Sequence, residues 1–114
     1  MFVAQLAVAL VALLHVIFAA AESVGWPVFA ARMGYSRERI EATRQLAANQ
    51  GAYNFGIAAM LGWSLGTGDW GTVSMLLAFI IAMALVGAMT VRWTIFVVQG
   101  IPAILGLALV GLSS

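Results

Sequence analysis

The chain has 114 residues, of which 64% are hydrophobic and 8% charged, with a mean hydropathy of +1.07. A soluble domain keeps about a quarter of its residues charged, so this composition excludes an ordinary soluble fold and points to an integral membrane protein. The absence of cysteine excludes disulfides, thiolate nucleophiles, iron–sulfur clusters and thiolate zinc sites, and a net charge of +1 carries no signature of nucleic-acid binding.

The first predicted element runs from Phe2 to Ser23, long enough to cross a bilayer, which takes roughly 20 residues as helix. Its Ala19-Ala20-Ala21 stretch resembles a signal-peptidase site. A signal peptide, however, carries positive charge ahead of its apolar core, and here the arginines follow it, so a retained span is expected. Two ionisable side chains lie inside this element. His15 and Glu22 are seven residues apart and share a helix face, roughly 10 Å apart along the axis at ~1.5 Å per residue.

Residues 24–44 read as a long polar loop. Gly25-Trp26-Pro27 breaks the first helix, and Gly34-Tyr35-Ser36 reads as a turn with Ser36 as N-cap of the next. From Arg37 to Arg44 that helix protrudes from the bilayer, with Arg37, Glu41 and Arg44 at the spacing of a solvated charged face. The second span follows from Gln45 to Gly66 and contains the run L-A-A-N-Q-G-A-Y-N-F-G. Asn49 pairs with Tyr53 and Gln50 with Asn54 at i,i+4, which predicts a polar stripe along one side of the helix. Gly62 and Gly66 form a G-x-x-x-G, and Ala47 and Gly51 repeat the small-residue spacing. Both predict close helix packing and self-association as a homo-oligomer.

Thr67-Gly68-Asp69 leads into a third span, Trp70 to Val91, with little polar content. Thr90-Val91-Arg92 leads into a fourth, Trp93 to Leu112, which places Gln99 about two turns inside. Gln50-Gly51 and Gln99-Gly100 fall at similar positions in the second and fourth spans, a faint echo of duplicated hairpins. Short connections make neighbours antiparallel, so the expected fold is all-α, a single transmembrane four-helix up-down bundle. All five positive charges are arginines: Arg32, Arg37, Arg39 and Arg44 in the first loop and Arg92 in the third. That bias puts both loops in the cytoplasm and both termini outside, in a membrane crossed several times. Trp26 and Trp93 mark the inner interface, Trp63 and Trp70 the outer one.

The expected site is a polar pocket in the inner half of the bundle, open to the cytoplasm. His15 and Glu22 are its candidate catalytic residues. Asn49, Gln50, Tyr53, Asn54 and Gln99 are its candidate ligand-binding residues. Ionisable groups inside a membrane cost at least ~2.5 kcal/mol on insertion scales and mark function by default. The plainer alternatives are amides serving as helix–helix glue, each worth about 0.6 kcal/mol on average, packing for Tyr53, and a solvated interface carboxylate for Glu22. Two functional readings stand. One is binding of a small molecule or cofactor, with isomerisation or proton transfer as the fitting chemistry. The other is a small oligomeric transporter or accessory subunit. Whether the chain is an enzyme is left open by its residues.

His15 and Glu22, the run L-A-A-N-Q-G-A-Y-N and the run V-Q-G-I-P-A-I-L from Val98 to Leu105 together resemble the bacterial family catalogued as domain of unknown function 1304. The likeness covers essentially the whole chain and implies a small four-span membrane protein, with no reaction attached. The first loop departs from the family's more acidic, proline-containing pattern at Ser36-Arg37-Glu38-Arg39. The spacing of Ala48, Gly51, Asn54 and Gly56 is also similar to a stretch of the styrene oxide isomerases, four-span enzymes that hold haem b. Their ligand histidine would fall at Asn49, which cannot bind iron. That likeness therefore implies haem b only if His15 is the ligand; no other metal site is expected.

Overall fold

The computed structural model describes residues 1–114. Phe2–Glu22, 21 residues free of glycine and proline, form helix α1. Its buried residues, Ala4, Val8, Val11, His15 and Ala19, recur every three or four positions, the spacing of one helix face. Gly25 then turns the chain. Trp26–Arg32 form a short helix, α2, with Pro27 in its first turn, where a missing N–H leaves no helical bond unmade. The stretch expected to be loop thus contains a helix. What holds it is a hydrophobic contact that charge patterning obscures: Trp26 and Ala30 pack on Ile40 and Ala47 of the following helix, and the indole Nε1–H donates to Thr43 Oγ1 at 3.0 Å.

Gly34, at φ 87°, supplies the left-handed turn that sends the chain back. Ser36 caps α3 as expected, its hydroxyl accepting from the Arg39 N–H at 3.2 Å. Helix α3, Arg37–Thr67, is 31 residues long and ends at Gly68, again left-handed at φ 72°. Asp69 caps α4, Trp70–Thr90, by accepting from the Thr72 N–H at 3.0 Å and hydroxyl at 2.6 Å. The Thr72 hydroxyl first and its backbone N–H second hold the Asp69 carboxyl below the usual carboxylate range.

The last segment is not one regular helix. Phe96–Gly100 form a π-helical turn that runs into α5, Ile101–Leu112. The cause is Pro102, which has no N–H for the carbonyl four residues back and crowds it with its ring. A wider turn relieves that clash. Gly100 permits it: a Cβ there would lie 2.7 Å from the Phe96 ring.

Helix α1 packs chiefly on α3 and also on α5, while α4 packs on α5, on the π-turn and on α3, so α1 and α4 stand on a diagonal. All four long segments supply the central core: Val8 and Val11 from α1, Leu61 from α3, Leu77 and Ile80 from α4, Ala103 and Val110 from α5. By length and composition α1 and α4 can cross a membrane; the apolar segment Phe96–Leu112 is shorter, and the charges of α3 are confined to its first turns. The long axis is 49 Å, against about 30 Å of bilayer hydrocarbon.

Candidate functional site

The crossing of α1 and α3 is set by one residue. A Cβ on Gly51 would lie 2.9 Å from the Ala19 carbonyl oxygen and 3.4 Å from both Glu22 Cβ and the Ser23 nitrogen, so only glycine lets the helices approach this closely. Three residues on, Asn54 occupies the same face of α3 and is buried. Its Nδ2–H donates to Glu22 Oε1, bridging the two helices. Glu22 is the last residue of α1, at the end of the helix dipole that disfavours negative charge. An amide donor aimed at the carboxylate offsets that disadvantage through a charge-assisted bond. The second oxygen, Oε2, makes no hydrogen bond. Since no buried side-chain nitrogen or oxygen is left without a partner, Oε2 reaches the surface.

His15 lies two turns back on the same buried face and is 2% exposed. Its Nδ1 pairs with the Val11 carbonyl at 2.8 Å. A carbonyl only accepts, so Nδ1 carries the hydrogen and Nε2 the lone pair of the neutral ring. The ring also meets Phe18 edge to face, centroids 5.6 Å apart. His15 and Glu22 therefore share the α1 face as predicted, but no hydrogen bond joins them.

The other candidates are not gathered with this pair. Asn49, Gln50 and Tyr53 are exposed on α3, Tyr53 at 66%, and Gln99 is half-buried in the π-turn with no side-chain hydrogen bond. The predicted polar stripe is thus corrected. The face of α3 that meets the bundle is Ala47, Gly51, Asn54, Ala58 and Leu61, spaced four, three, four and three. Asn49, five residues before Asn54, is turned about 140° away from it, at ~100° per residue. Neither of the two grooves below is the predicted polar pocket. The structure has an apolar groove between α1 and α3, of about 430 Å³, lined by Val16, Ala20, Val24, Ala48, Ala52 and Phe55 among others. A second groove, of about 510 Å³ near Trp63 and Asp69, lies at the opposite end. None of the predicted site residues lines either one. His15 is 2% exposed and lines neither of these two grooves, so neither presents it as a haem ligand.

Two features escaped the sequence. The Arg39 guanidinium stacks 3.8 Å above the Tyr35 ring; Tyr35 precedes the N-cap of α3, so no helical spacing signals the pair. The Trp26–Thr43 bond had no local signal, because it depends on how α2 folds back.

A family model described as a protein of unknown function, DUF1304, matches residues 9–111. No curated protein and no solved structure matches the chain.

Proposed function

The chain belongs to this family of proteins of unknown function, DUF1304, and on that premise we propose a small multi-pass protein of the bacterial inner membrane that binds a small molecule from the cytoplasmic side. Its four long helical segments cross the bilayer, both termini lie outside, and α2 with the first turns of α3 stands in the cytoplasm. Supporting this are the two apolar helices, the arginines confined to one end, and a long axis that exceeds the hydrocarbon thickness.

The binding reading is carried by the Glu22–Asn54 bridge. A carboxylate and an amide between two membrane helices are costly and mark a working site by default. Asn54 orients the carboxylate while Oε2 remains available to a donor or cation on the ligand. Proton transfer or isomerisation would use Glu22 as the acid–base group; His15, roughly 10 Å along the axis, would act on a different atom or through water. A bilayer-permeant carbodiimide tests this in vesicles. The reagent should couple to Glu22 in wild type and leave Glu22→Gln unmodified at that site. An inserted, folded protein whose Glu22 never reacts would exclude a ligand from Oε2 and end the reading.

A second reading has its own observation. Asn49, Gln50 and Tyr53 face outward on α3, level with or just inside the end of α1. Amides placed there hydrogen-bond across helices, which suits an oligomer or an accessory subunit, including an oligomeric transporter. Cross-linking from a cysteine placed at position 49 in membranes distinguishes the two. Capture of a second copy or another membrane protein supports the subunit reading, and its absence removes it.

A further inference from the structure

We propose that the groove between α1 and α3 is a binding site for one anionic phospholipid of the inner leaflet, its acyl chain in the groove and its phosphate on Arg44. The inference rests on the membrane orientation proposed above and is separate from the Glu22 site.

The groove exists because both walls are built from small side chains where the helices meet. Ala19 and Ala20 on α1 and Ala48, Gly51 and Ala52 on α3 leave a trough that Val16, Val24 and Phe55 flank. It is not isolated on α3. Phe55, Ala52 and Ala48 continue into Arg44, Glu41 and Arg37 at successive spacings of three or four, one unbroken helix face. Arg44 stands four residues beyond Ala48, about 6 Å along the axis at ~1.5 Å per residue, the displacement from the apolar floor at which a headgroup phosphate begins.

Charge selects the occupant. Residues 24–44 hold four arginines and two glutamates, and Arg92 lies at the same end. Arg44 is half-exposed and donates one N–H to Glu41 Oε1 at 2.9 Å, while a guanidinium has five N–H donors in a fork that matches phosphate. A second copy laid symmetrically into the same groove would bring Arg44 against Arg44 and Arg37 against Arg37, which like-charge repulsion disfavours. A lipid of opposite charge meets no such barrier.

The full chain, reconstituted in phosphatidylcholine vesicles, is probed with spin-labelled phosphatidylglycerol and spin-labelled phosphatidylcholine; the fraction of immobilised lipid gives their relative association. Wild type should prefer phosphatidylglycerol by roughly fivefold. Arg44→Gln should bring the preference close to one, Arg44→Lys should keep part of it, and Glu41→Gln should raise it by freeing the guanidinium. Ala52→Leu, which fills the groove, should lower the immobilised fraction of both lipids. An unchanged preference in Arg44→Gln overturns the proposal, as does an unchanged immobilised fraction in Ala52→Leu. If Ala52→Leu instead dissociates an oligomer, a helix occupies the groove and the lipid assignment is wrong. A chain that does not float with vesicles of either lipid refutes the membrane reading itself, a different result from one that floats without selectivity.

Discussion

Gly51 and Asn54 act as a unit, the first by what it lacks. At Gly51 even a methyl group meets backbone, the Ala19 carbonyl at 2.9 Å, and backbone cannot rotate aside. Gly51→Val should therefore push α1 from α3 and destabilise the fold by about 1–3 kcal/mol, the usual cost of overpacking. Gly62→Ala has nothing within 4 Å of the new Cβ and should not destabilise the protomer, helical alanine being favoured over glycine. Unfolding titrations in mixed micelles compare the two, and equal effects would contradict the crossing described. Asn54→Ala removes the one donor to Glu22 and should cost about 1–3 kcal/mol, the penalty of stranding a partly buried acceptor. In a Glu22→Gln background the same change should cost less, because no carboxylate is left without its donor. Additive losses would show that the bridge contributes no coupling.

Among the elements, the sequence was legible wherever a local rule sufficed. Ser36 at the start of α3, Gly68 at its end and the apolar runs of α1 and α4 each announce themselves within a few residues. Helix α2 did not, because Trp26–Arg32 is too short to show a period and is stabilised by Ile40 and Thr43 across a turn. The site was half legible. His15 and Glu22 share a face by spacing alone, but which amide answers Glu22 depends on Gly51 fixing the crossing, a tertiary fact. The outward stripe has the same origin: Asn49 and Gln50 are polar, but the face that Gly51 turns to α1 is that of Ala47 and Ala58. Gln50-Gly51 and Gln99-Gly100 look alike in sequence, yet Gly51 admits a neighbouring backbone and Gly100 a ring on its own turn. Pro102→Ala restores an N–H to the turn after Val98 and should convert the π-turn to α-helix, rotating Gln99 relative to α5. Backbone chemical shifts of residues 96–100 report the conversion, and unchanged shifts would mean that Pro102 is not the cause. The cap of α4 makes a prediction in pH. The Asp69 carboxyl is held below its ordinary value by Thr72, so its contribution is full above the unfolded carboxylate range, about pH 4, and fades as pH falls through the lower folded value. Asp69→Ala should therefore be destabilising at neutral pH and much less so in strong acid. A gap between wild type and variant that does not narrow on acidification would exclude the ionised cap.

For the molecule as a whole, orientation decides what each end can do. The α2 end carries every arginine and a small core of its own, Trp26, Ala30, Ile40 and Ala47; the opposite end offers Asp69 and no basic side chain. Arginine left on the translocated side is what membrane insertion avoids, so the α2 end is expected in the cytoplasm. In the proposed placement, about 30 Å of the 49 Å axis lies in the hydrocarbon, and the remainder is left for α2 and the charged turns of α3. Two reporters fused after Ser114, one active only outside the cytoplasm and one only within it, test the assignment. The first should be active and the second silent. Replacing Arg32, Arg37, Arg39 and Arg44 together by glutamine should weaken the bias and yield mixed orientation, since Arg92 alone then remains to set it. A wild-type fusion active only in the cytoplasm would invert the molecule, moving Glu22 Oε2 and Arg44 to the outer face. A ligand would then have to arrive from outside, and the groove would face the outer leaflet.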